Sequence, residues 1–225
     1  MTGVEKDRMT SKTDTAQLPL RVAELMCSRL CHDLISPTAA VSNGLELLDD
    51  GQGGMDQEVM SLLGFSVGQA AGWLMLFRIA YGLGGDMADA LTQTEVVTLF
   101  RGVVEEDKVQ LDLAEGDTPL GRGATKLLLN AALVGLETLP NRGKLSLSVA
   151  RGDTIKITVT GDGDGVAVRP EVRDVLTPDA DIAALTPRTV QGYFTIWLAQ
   201  TLGGTFVLQS EEPSHVVFEA QIPAA

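Results

Sequence analysis

Residues 30–37 read LCHDLISP, from Leu30 to Pro37, and this stretch decides how the N-terminal part of the chain folds. The two leucines in it, Leu30 and Leu34, belong to an apolar stripe with helical spacings of three, four or seven residues: Val22, Met26, Leu30, Leu34, Val41, Leu45 and Leu48. His32 lies two residues from each leucine, which places it about 200° from them around a helix. The pattern therefore predicts a helix that buries its leucines and holds His32 in solvent.

The helical pattern extends from about Pro19 to Asp50, and a second helical pattern runs from Val59 to Tyr81. The glycine-rich residues 49–54 between them are typical of a turn. The second segment carries two apolar rows, one made of Val59, Leu63, Val67, Ala70, Leu74, Phe77 and Tyr81, the other of Leu62, Phe65, Trp73 and Leu76. An antiparallel hairpin cannot bury both rows by itself. We expect it to pair with a second copy in a dimeric four-helix bundle; packing against the rest of the chain is the alternative.

The chain divides at the glycine-rich residues 82–86. Residues 1–17 are polar and predicted to be a disordered tail, residues 18–84 form the hairpin, and residues 88–225 mix helical and strand patterns. Helices are predicted at 94–108, 123–138 and 188–202, and strands at 110–114, 144–149, 154–160, 205–209 and 216–222. This order indicates an α+β sandwich with helices on one face of a sheet.

Composition excludes several classes of function. The net charge of −13 argues against binding to nucleic acid or to anionic membranes, because both need clustered Lys and Arg. The polar N-terminus does not resemble a signal peptide, and no uninterrupted apolar run is long enough to span a bilayer, so we expect a cytoplasmic protein. The two cysteines, Cys27 and Cys31, supply neither a disulfide framework nor a closed zinc site, and no metal site is predicted.

The residues around His32 suit a phosphate carrier. A neutral imidazole has a free ring nitrogen that can act as a nucleophile. Asp33 can orient the ring or act as a base, and Arg29 can steady a phosphoryl group through charge-assisted hydrogen bonds. Ser28 and Ser36 are short, so a partner protein can approach the ring closely. The other histidine, His215, begins the last predicted strand and is expected to be structural.

The sequence from His32 to Pro37 resembles the phosphoacceptor box of sensor histidine kinases. In the second unit, Asn130-Ala131-Ala132 resembles the kinase N box, whose asparagine holds magnesium, but the basic and aromatic residues that usually follow it are missing. Gly161, Gly163 and Gly165 resemble the box Asp-x-Gly-x-Gly, with glycine where the adenine-binding aspartate belongs. The glycine-rich lid is replaced by residues 189–192. These losses indicate a relic nucleotide site that binds no cofactor.

Other interpretations of residues 161–166 are a calcium loop, a dinucleotide-binding turn and a plain Gly-Asp turn. The calcium loop lacks its first ligand, since Thr160 stands there, and Pro170 interrupts it. The dinucleotide turn would place Asp162 and Asp164 against a pyrophosphate. The plain turn stays open.

Taken together, residues 20–222 resemble the ChpT-type histidine phosphotransferases, which look like a histidine-kinase homodimer without ATP activity. The resemblance implies that His32 accepts a phosphoryl group from the receiver-domain aspartate of a hybrid kinase and passes it to response regulators of a cell-cycle phosphorelay. Magnesium would belong to the partner's receiver domain. The receiver is expected to dock beside the histidine, near residues 64–68 of the second helix and on Ile35, Ser36, Ala39, Ala40 and Asn43.

Three alternatives remain at this point. The chain could be an active ATP-dependent histidine kinase, a non-catalytic dimeric adaptor in which His32 is incidental, or a phosphatase of response regulators.

Overall fold

The computed structural model describes residues 18–49, 57–82, 91–105, 107–113, 119–140 and 142–224. The tail predicted at residues 1–17 lies outside this range, as do most of the turn at 49–54 and most of the boundary at 82–86. The division into units at 18–84 and 88–225 therefore stays a prediction.

The N-terminal part is an antiparallel pair of helices, α1 (Leu20–Asp49) and α2 (Gln57–Ala80), which pack along each other. Helix α1 continues through the buried Pro37. The apolar stripe of α1 is most deeply buried at its start, where Val22 and Met26 lie in the core, whereas Leu45 near its end is 56% exposed. The predicted helical hairpin is confirmed. Its far end needs a cover that the described part of the chain does not provide.

The second part begins with α3 (Gln93–Arg101), β1 (Val109–Leu113), α4 (Arg122–Leu136), β2 (Gly143–Arg151) and β3 (Thr154–Asp162). It continues with α5 (Pro170–Arg173), a 3₁₀ turn (Ile182–Ala184), α6 (Val190–Thr201), β4 (Thr205–Glu212) and β5 (His215–Pro223). The five strands are ordered β1-β2-β3-β5-β4. Pairing is antiparallel except between β1 and β2, which run parallel because α4 crosses over between them. The predicted α+β fold is confirmed as a mixed sheet.

Several predicted bounds were wrong. Helix α3 was predicted to reach residue 108 but ends at Arg101, and the backbone of its C-cap residue Gly102 lies against Gly72 of α2. Helix α6 begins at Val190 rather than residue 188, because a turn closed by Thr189 Oγ1 on the amide of Thr186 precedes it. Helix α5 and the 3₁₀ turn were not predicted, since both are too short for apolar periodicity to show.

The base of the hairpin and the second part share one apolar core. Met26 of α1 and Leu76 and Phe77 of α2 pack in the same cluster as the buried faces of α4 and α6. Aromatic rings continue this contact, since Phe77 stacks on Tyr81 and Tyr81 meets Phe194 of α6 edge to face. Helices α4 and α6 therefore hold the end of the hairpin that is formed by the start of α1 and the end of α2.

Helix α2 is long and apolar enough to cross a membrane by length and composition, although only 17% of its most apolar window is buried within the protein. From the sequence, no uninterrupted apolar run of this length was expected, and Gly64, Ser66 and Gln69 do interrupt the run. The mean hydropathy of the helix nevertheless stays as high as that of a membrane span. The C-terminal end of α2 lies in the protein core, as described above, and α1 packs along its length. The apolar face that remains exposed needs an apolar partner.

Candidate active site around His32

The side chain of His32 is 86% exposed, whereas Leu30 and Leu34 are half-buried. This confirms the direction predicted from helical periodicity. Nδ1 of His32 lies 3.1 Å from Oδ1 of Asp33. When Asp33 accepts a hydrogen bond from Nδ1–H, Nε2 is the unprotonated nitrogen and can attack an electrophile.

Asp33 also faces Arg29, one helical turn earlier. Oδ2 of Asp33 lies 3.7 Å from Nε of Arg29, and the guanidinium of Arg29 pairs through Nη2 with Oε1 of Glu137. The side chains of Arg29, Asp33 and Glu137 are 13%, 20% and 18% exposed. An ionic chain therefore leads from the exposed imidazole into the contact between α1 and the end of α4.

Burial shifts the pKa values of the groups in and beside this ionic chain. Burial is the largest single influence on Arg29 and by itself would lower its pKa, but Glu137, Tyr81 and Asp33 together outweigh burial, so the pKa is raised. Burial raises the pKa of Glu137, and Arg29 opposes that shift. Burial likewise raises the pKa of Tyr81, which lies close enough to interact with Arg29. Arg29 thus stays positively charged at any physiological pH.

A cavity of about 740 Å³ opens beside His32, between α1 and the second part of the protein. Basic residues of the second part, Arg169 and Arg188, line it together with Glu171. Its other lining residues are Arg29, His32, Asp33, Glu137, Thr186 and Pro187. The guanidinium groups of Arg169 and Arg188 thus line the same cavity as the imidazole of His32, on a chain that is strongly acidic overall.

The residues predicted to contact a partner lie on the open side of α1. Ile35 is 65% exposed, and Ser36, Ala39 and Asn43 are also exposed, while Ala40 is half-buried. On α2, Gly64 and Gly68 have open space where a Cβ would stand. Small and apolar groups thus form an accessible surface on α1, beyond the histidine, and on α2.

Asn130, the predicted relic of the N box, is fully buried. Its Nδ2 donates to the carbonyl oxygens of Ala80 at 3.1 Å and Lys126 at 2.8 Å. Its Oδ1 accepts from Nε2 of Gln191 at 2.9 Å, and Oε1 of Gln191 accepts from the Tyr81 hydroxyl at 2.7 Å. Both ends of the Asn130 amide therefore join the end of α2 to α4 and α6.

Residues 189–192, at the position of a kinase lid, form the start of α6 rather than a loop. Thr189 and Gln191 are buried there. A segment that is folded into the core in this way cannot wrap a triphosphate with its backbone amides.

The glycines of the second box have structural roles. A Cβ on Gly161 would lie 2.8 Å from Oγ1 of Thr138, so this buried position has no room for a side chain without movement. Gly163 and Gly165 have φ angles of +146° and +74°, which favour glycine. Gly163 lines a cavity of about 470 Å³ whose lining does not include Asn130. These features fit the plain Gly-Asp turn left open by the sequence.

His215 pairs with Asp162 through Nδ1 and Oδ1 at 2.6 Å, across the paired strands β3 and β5. This contact fits its expected structural role. Cys27 and Cys31 are free and exposed, and within the described residues no group of three His, Cys, Asp or Glu side chains could hold a metal ion.

Sequence reasoning missed Glu137, Arg169 and Arg188. Glu137 follows a strongly apolar helix, and the two arginines lie in loops, so no periodic pattern marks any of them. Only the approach of the second part to α1 brings these side chains to His32.

The chain is similar to proteins of one kind. A family model described as histidine phosphotransferase C-terminal domain matches residues 93–214. Protein phosphotransferase ChpT of Brucella abortus (strain 2308) is 30% identical over 203 residues, which cover 90% of this chain and 96% of the relative. A solved structure of a bacterial phosphotransferase has a TM-score of 0.75 at 28% identity, covering 92% of this chain and 98% of that one. The Acinetobacter baumannii histidine kinase AdeS has a TM-score of 0.48 at 18% identity, covering 85% of this chain and 97% of that one.

Proposed function

The chain belongs to the ChpT-type histidine phosphotransferases, which are phosphorelay components, and from this premise we propose that His32 is the residue that carries the phosphoryl group. The observation that carries the proposal is the exposed imidazole of His32, with Nδ1 held by Asp33 at 3.1 Å. This arrangement presents Nε2 as the nucleophile to an approaching protein.

The proposed reaction is reversible transfer between nitrogen and oxygen. Nε2 of His32 attacks the phosphorus of an aspartyl phosphate in a receiver domain. The N–P bond forms as the P–O bond to the receiver breaks, and the electron pair leaves with the receiver's carboxylate. The proton on Nδ1 stays in its hydrogen bond, where Asp33 offsets the positive charge that the ring gains. Transfer to a response regulator is the same step in reverse.

We further propose that the donor is the receiver of a hybrid kinase and that magnesium is supplied by the receiver. The receiver would dock on Ile35, Ser36, Ala39, Ala40 and Asn43, near residues 64–68. Exposure and small size support this surface, because a partner backbone can come close there. The guanidinium groups of Arg169 and Arg188 would favour an incoming phosphoryl group.

We propose that the second unit binds no ATP. Asn130 is enclosed in the core with both amide ends engaged by protein atoms, and Gly161 replaces the adenine acceptor where space is lacking. These observations disfavour the kinase alternative, which would need both positions.

We also propose that the protein is a cytoplasmic homodimer with a role in a cell-cycle phosphorelay. Support for the dimer comes from the exposed apolar side chains of the hairpin: Leu45, Leu47, Met60, Leu62, Phe65, Val67, Leu74 and Met75. A soluble protein rarely leaves so many large apolar groups in water on one helix pair, and a second hairpin would cover them. Light scattering should give twice the chain mass for the wild type and the chain mass for Phe65→Glu. The control Thr94→Glu, at an exposed position of α3, should leave the dimer intact.

The test of the carrier role mixes the protein with a receiver domain phosphorylated on aspartate, and separately with labelled ATP alone. We expect acid-labile label from the receiver, lost in His32→Ala and kept in His215→Ala, which changes the only other histidine. Label from ATP alone would establish a kinase. No label from any of a panel of receivers would favour the adaptor.

A further inference from the structure

Glu137 is the only carboxylate from the second part of the protein that forms an ion pair with Arg29 among the described residues. It stands at the C-cap of α4, where its backbone N–H bonds to the carbonyl of Leu133, so its position is fixed by a helix buried in the core. The acceptor helix α1 and the sheet-bearing part of the chain therefore meet through a charged contact next to His32.

The geometry gives Asp33, Arg29 and Glu137 one role each. Asp33 presents Oδ1 to Nδ1 of His32 at 3.1 Å, while its Oδ2 lies 3.7 Å from Nε of Arg29, a longer ionic contact. Arg29 places its Nη2 directly on Glu137. Because Glu137 contacts the guanidinium more closely than Asp33 does, Oδ1 of Asp33 remains available to accept a hydrogen bond from the imidazole. Without Glu137, Arg29 would have Asp33 as its nearest anion, and the attraction would draw that carboxylate away from the ring.

Simple attachment of the two parts does not need this charged pair. Tyr81, Gln191 and Asn130 already join them by hydrogen bonds, and Phe77 and Phe194 pack in the shared core. A buried ion pair costs desolvation energy that well-packed apolar side chains would avoid, and charged groups held in this way cluster at functional sites. Nε of Arg29, Oδ2 of Asp33 and Oε1 of Glu137 are all closed off from solvent.

We infer that Glu137 is a positioning residue for phosphoryl transfer: it holds Arg29 so that Asp33 fixes His32 with the proton on Nδ1. This inference rests on the carrier role proposed for His32. It gives the second part of the protein a task in the reaction without nucleotide, because α4 delivers Glu137 to the acceptor helix.

The test is Glu137→Gln in the full-length protein, read by imidazole nitrogen NMR and by transfer kinetics. We expect a smaller fraction of His32 in the Nδ1–H tautomer and a maximal transfer rate about 10- to 100-fold lower, as for a catalytic group displaced by a fraction of an ångström to an ångström. The receiver concentration at half-maximal rate should not change, since Glu137 is not on the docking surface. The control Glu24→Gln, on the exposed side of α1, should match the wild type in both readings.

A second variant is needed in case Glu137→Gln fails to fold because the buried Arg29 has lost its closer partner. Arg29→Gln combined with Glu137→Gln removes the buried arginine together with its closer partner, and no cation then competes with His32 for Asp33. We expect the double variant to regain the wild-type tautomer and to transfer faster than Glu137→Gln alone. Wild-type rate and tautomer in Glu137→Gln, or a double variant with a displaced tautomer, would overturn the inference while leaving the carrier role intact. Failure of the wild type to accept label would instead refute the carrier role.

Discussion

In the kinase box that residues 161–165 resemble, an aspartate binds adenine, so Gly161→Asp tests the proposal that this part of the chain binds no nucleotide. A Cβ at this position would meet Oγ1 of Thr138 at 2.8 Å, Cγ1 of Val166 at 3.5 Å and Cδ2 of Leu139 at 3.6 Å. The Thr138 hydroxyl already donates to the carbonyl of Gly135 at 2.7 Å, so it cannot serve the new carboxylate without giving up that bond.

The magnitude follows from two costs. Forcing extra atoms into a packed site costs about 1–3 kcal/mol. Leaving a buried polar group without a partner costs about 1–3 kcal/mol more. We therefore expect Gly161→Asp to lower the free energy of unfolding by about 2–6 kcal/mol, a large part of the ~5–15 kcal/mol typical of a folded protein.

The assay is urea unfolding of Gly161→Asp, with Gly152→Asp as the control variant. The control makes the same chemical change at an exposed turn, with nothing within 4 Å of the new Cβ. The control should change the free energy of unfolding by no more than about 0.5 kcal/mol. Nucleotide binding, measured by calorimetry, should be absent in both variants, because Asn130 remains enclosed by Gln191 and the end of α2. An unfolding free energy equal to that of the control, or nucleotide binding by Gly161→Asp, would refute the reasoning.

Three further predictions concern the site and its buried support. Arg169→Ala and Arg188→Ala should each slow phosphoryl transfer several-fold at low salt and weaken its dependence on ionic strength, because the cavity beside His32 loses a guanidinium group. Stopped-flow measurements of transfer at two salt concentrations test this. Unchanged rates in both variants would show that the cavity does not meet the phosphoryl group. Burial raises the pKa of Tyr81 above its ordinary value of 10.0, so the folded state favours the neutral phenol and loses stability as the pH rises above that value. The phenolate absorbance of Tyr81 should therefore appear only together with unfolding, and its appearance in folded protein near pH 10.0 would contradict this. Tyr81→Phe keeps the ring stacking on Phe77 but leaves Oε1 of Gln191 without its donor, so the free energy of unfolding should fall by about 1–3 kcal/mol at neutral pH.

Much of the fold was predictable because it rests on local periodicity. Apolar spacings of three and four residues located both hairpin helices, and strand patterns located all five strands, with bounds that differ from the structure by a few residues. The bound of α3 could not be predicted, because it depends on the backbone of Gly102 meeting Gly72 of another helix. The parallel pairing of β1 and β2 was likewise not evident, since strand order depends on which strands meet after α4 crosses over.

The site was predictable in part for the same reason. Asp33 is adjacent to His32 in sequence, so a sideways contact with the ring could be anticipated, although consecutive residues of a helix point about 100° apart. The interpretation of Arg29 was incomplete: the structure shows it paired with Glu137, a residue distant in sequence, and its contact with a phosphoryl group stays a prediction.

The sequence by itself determined that His32 faces solvent, because a helix with 3.6 residues per turn cannot bury Leu30 and Leu34 and His32 together. It also determined the membership of the chain in its family, since the box at residues 30–37 and the altered second unit are local motifs. Tertiary structure alone decided that Glu137 reaches Arg29, that Arg169 and Arg188 line the cavity, and that Asn130 is enclosed by Gln191. Such contacts join residues far apart in sequence, and their geometry is fixed by how α4 and α6 pack on the sheet and against the hairpin.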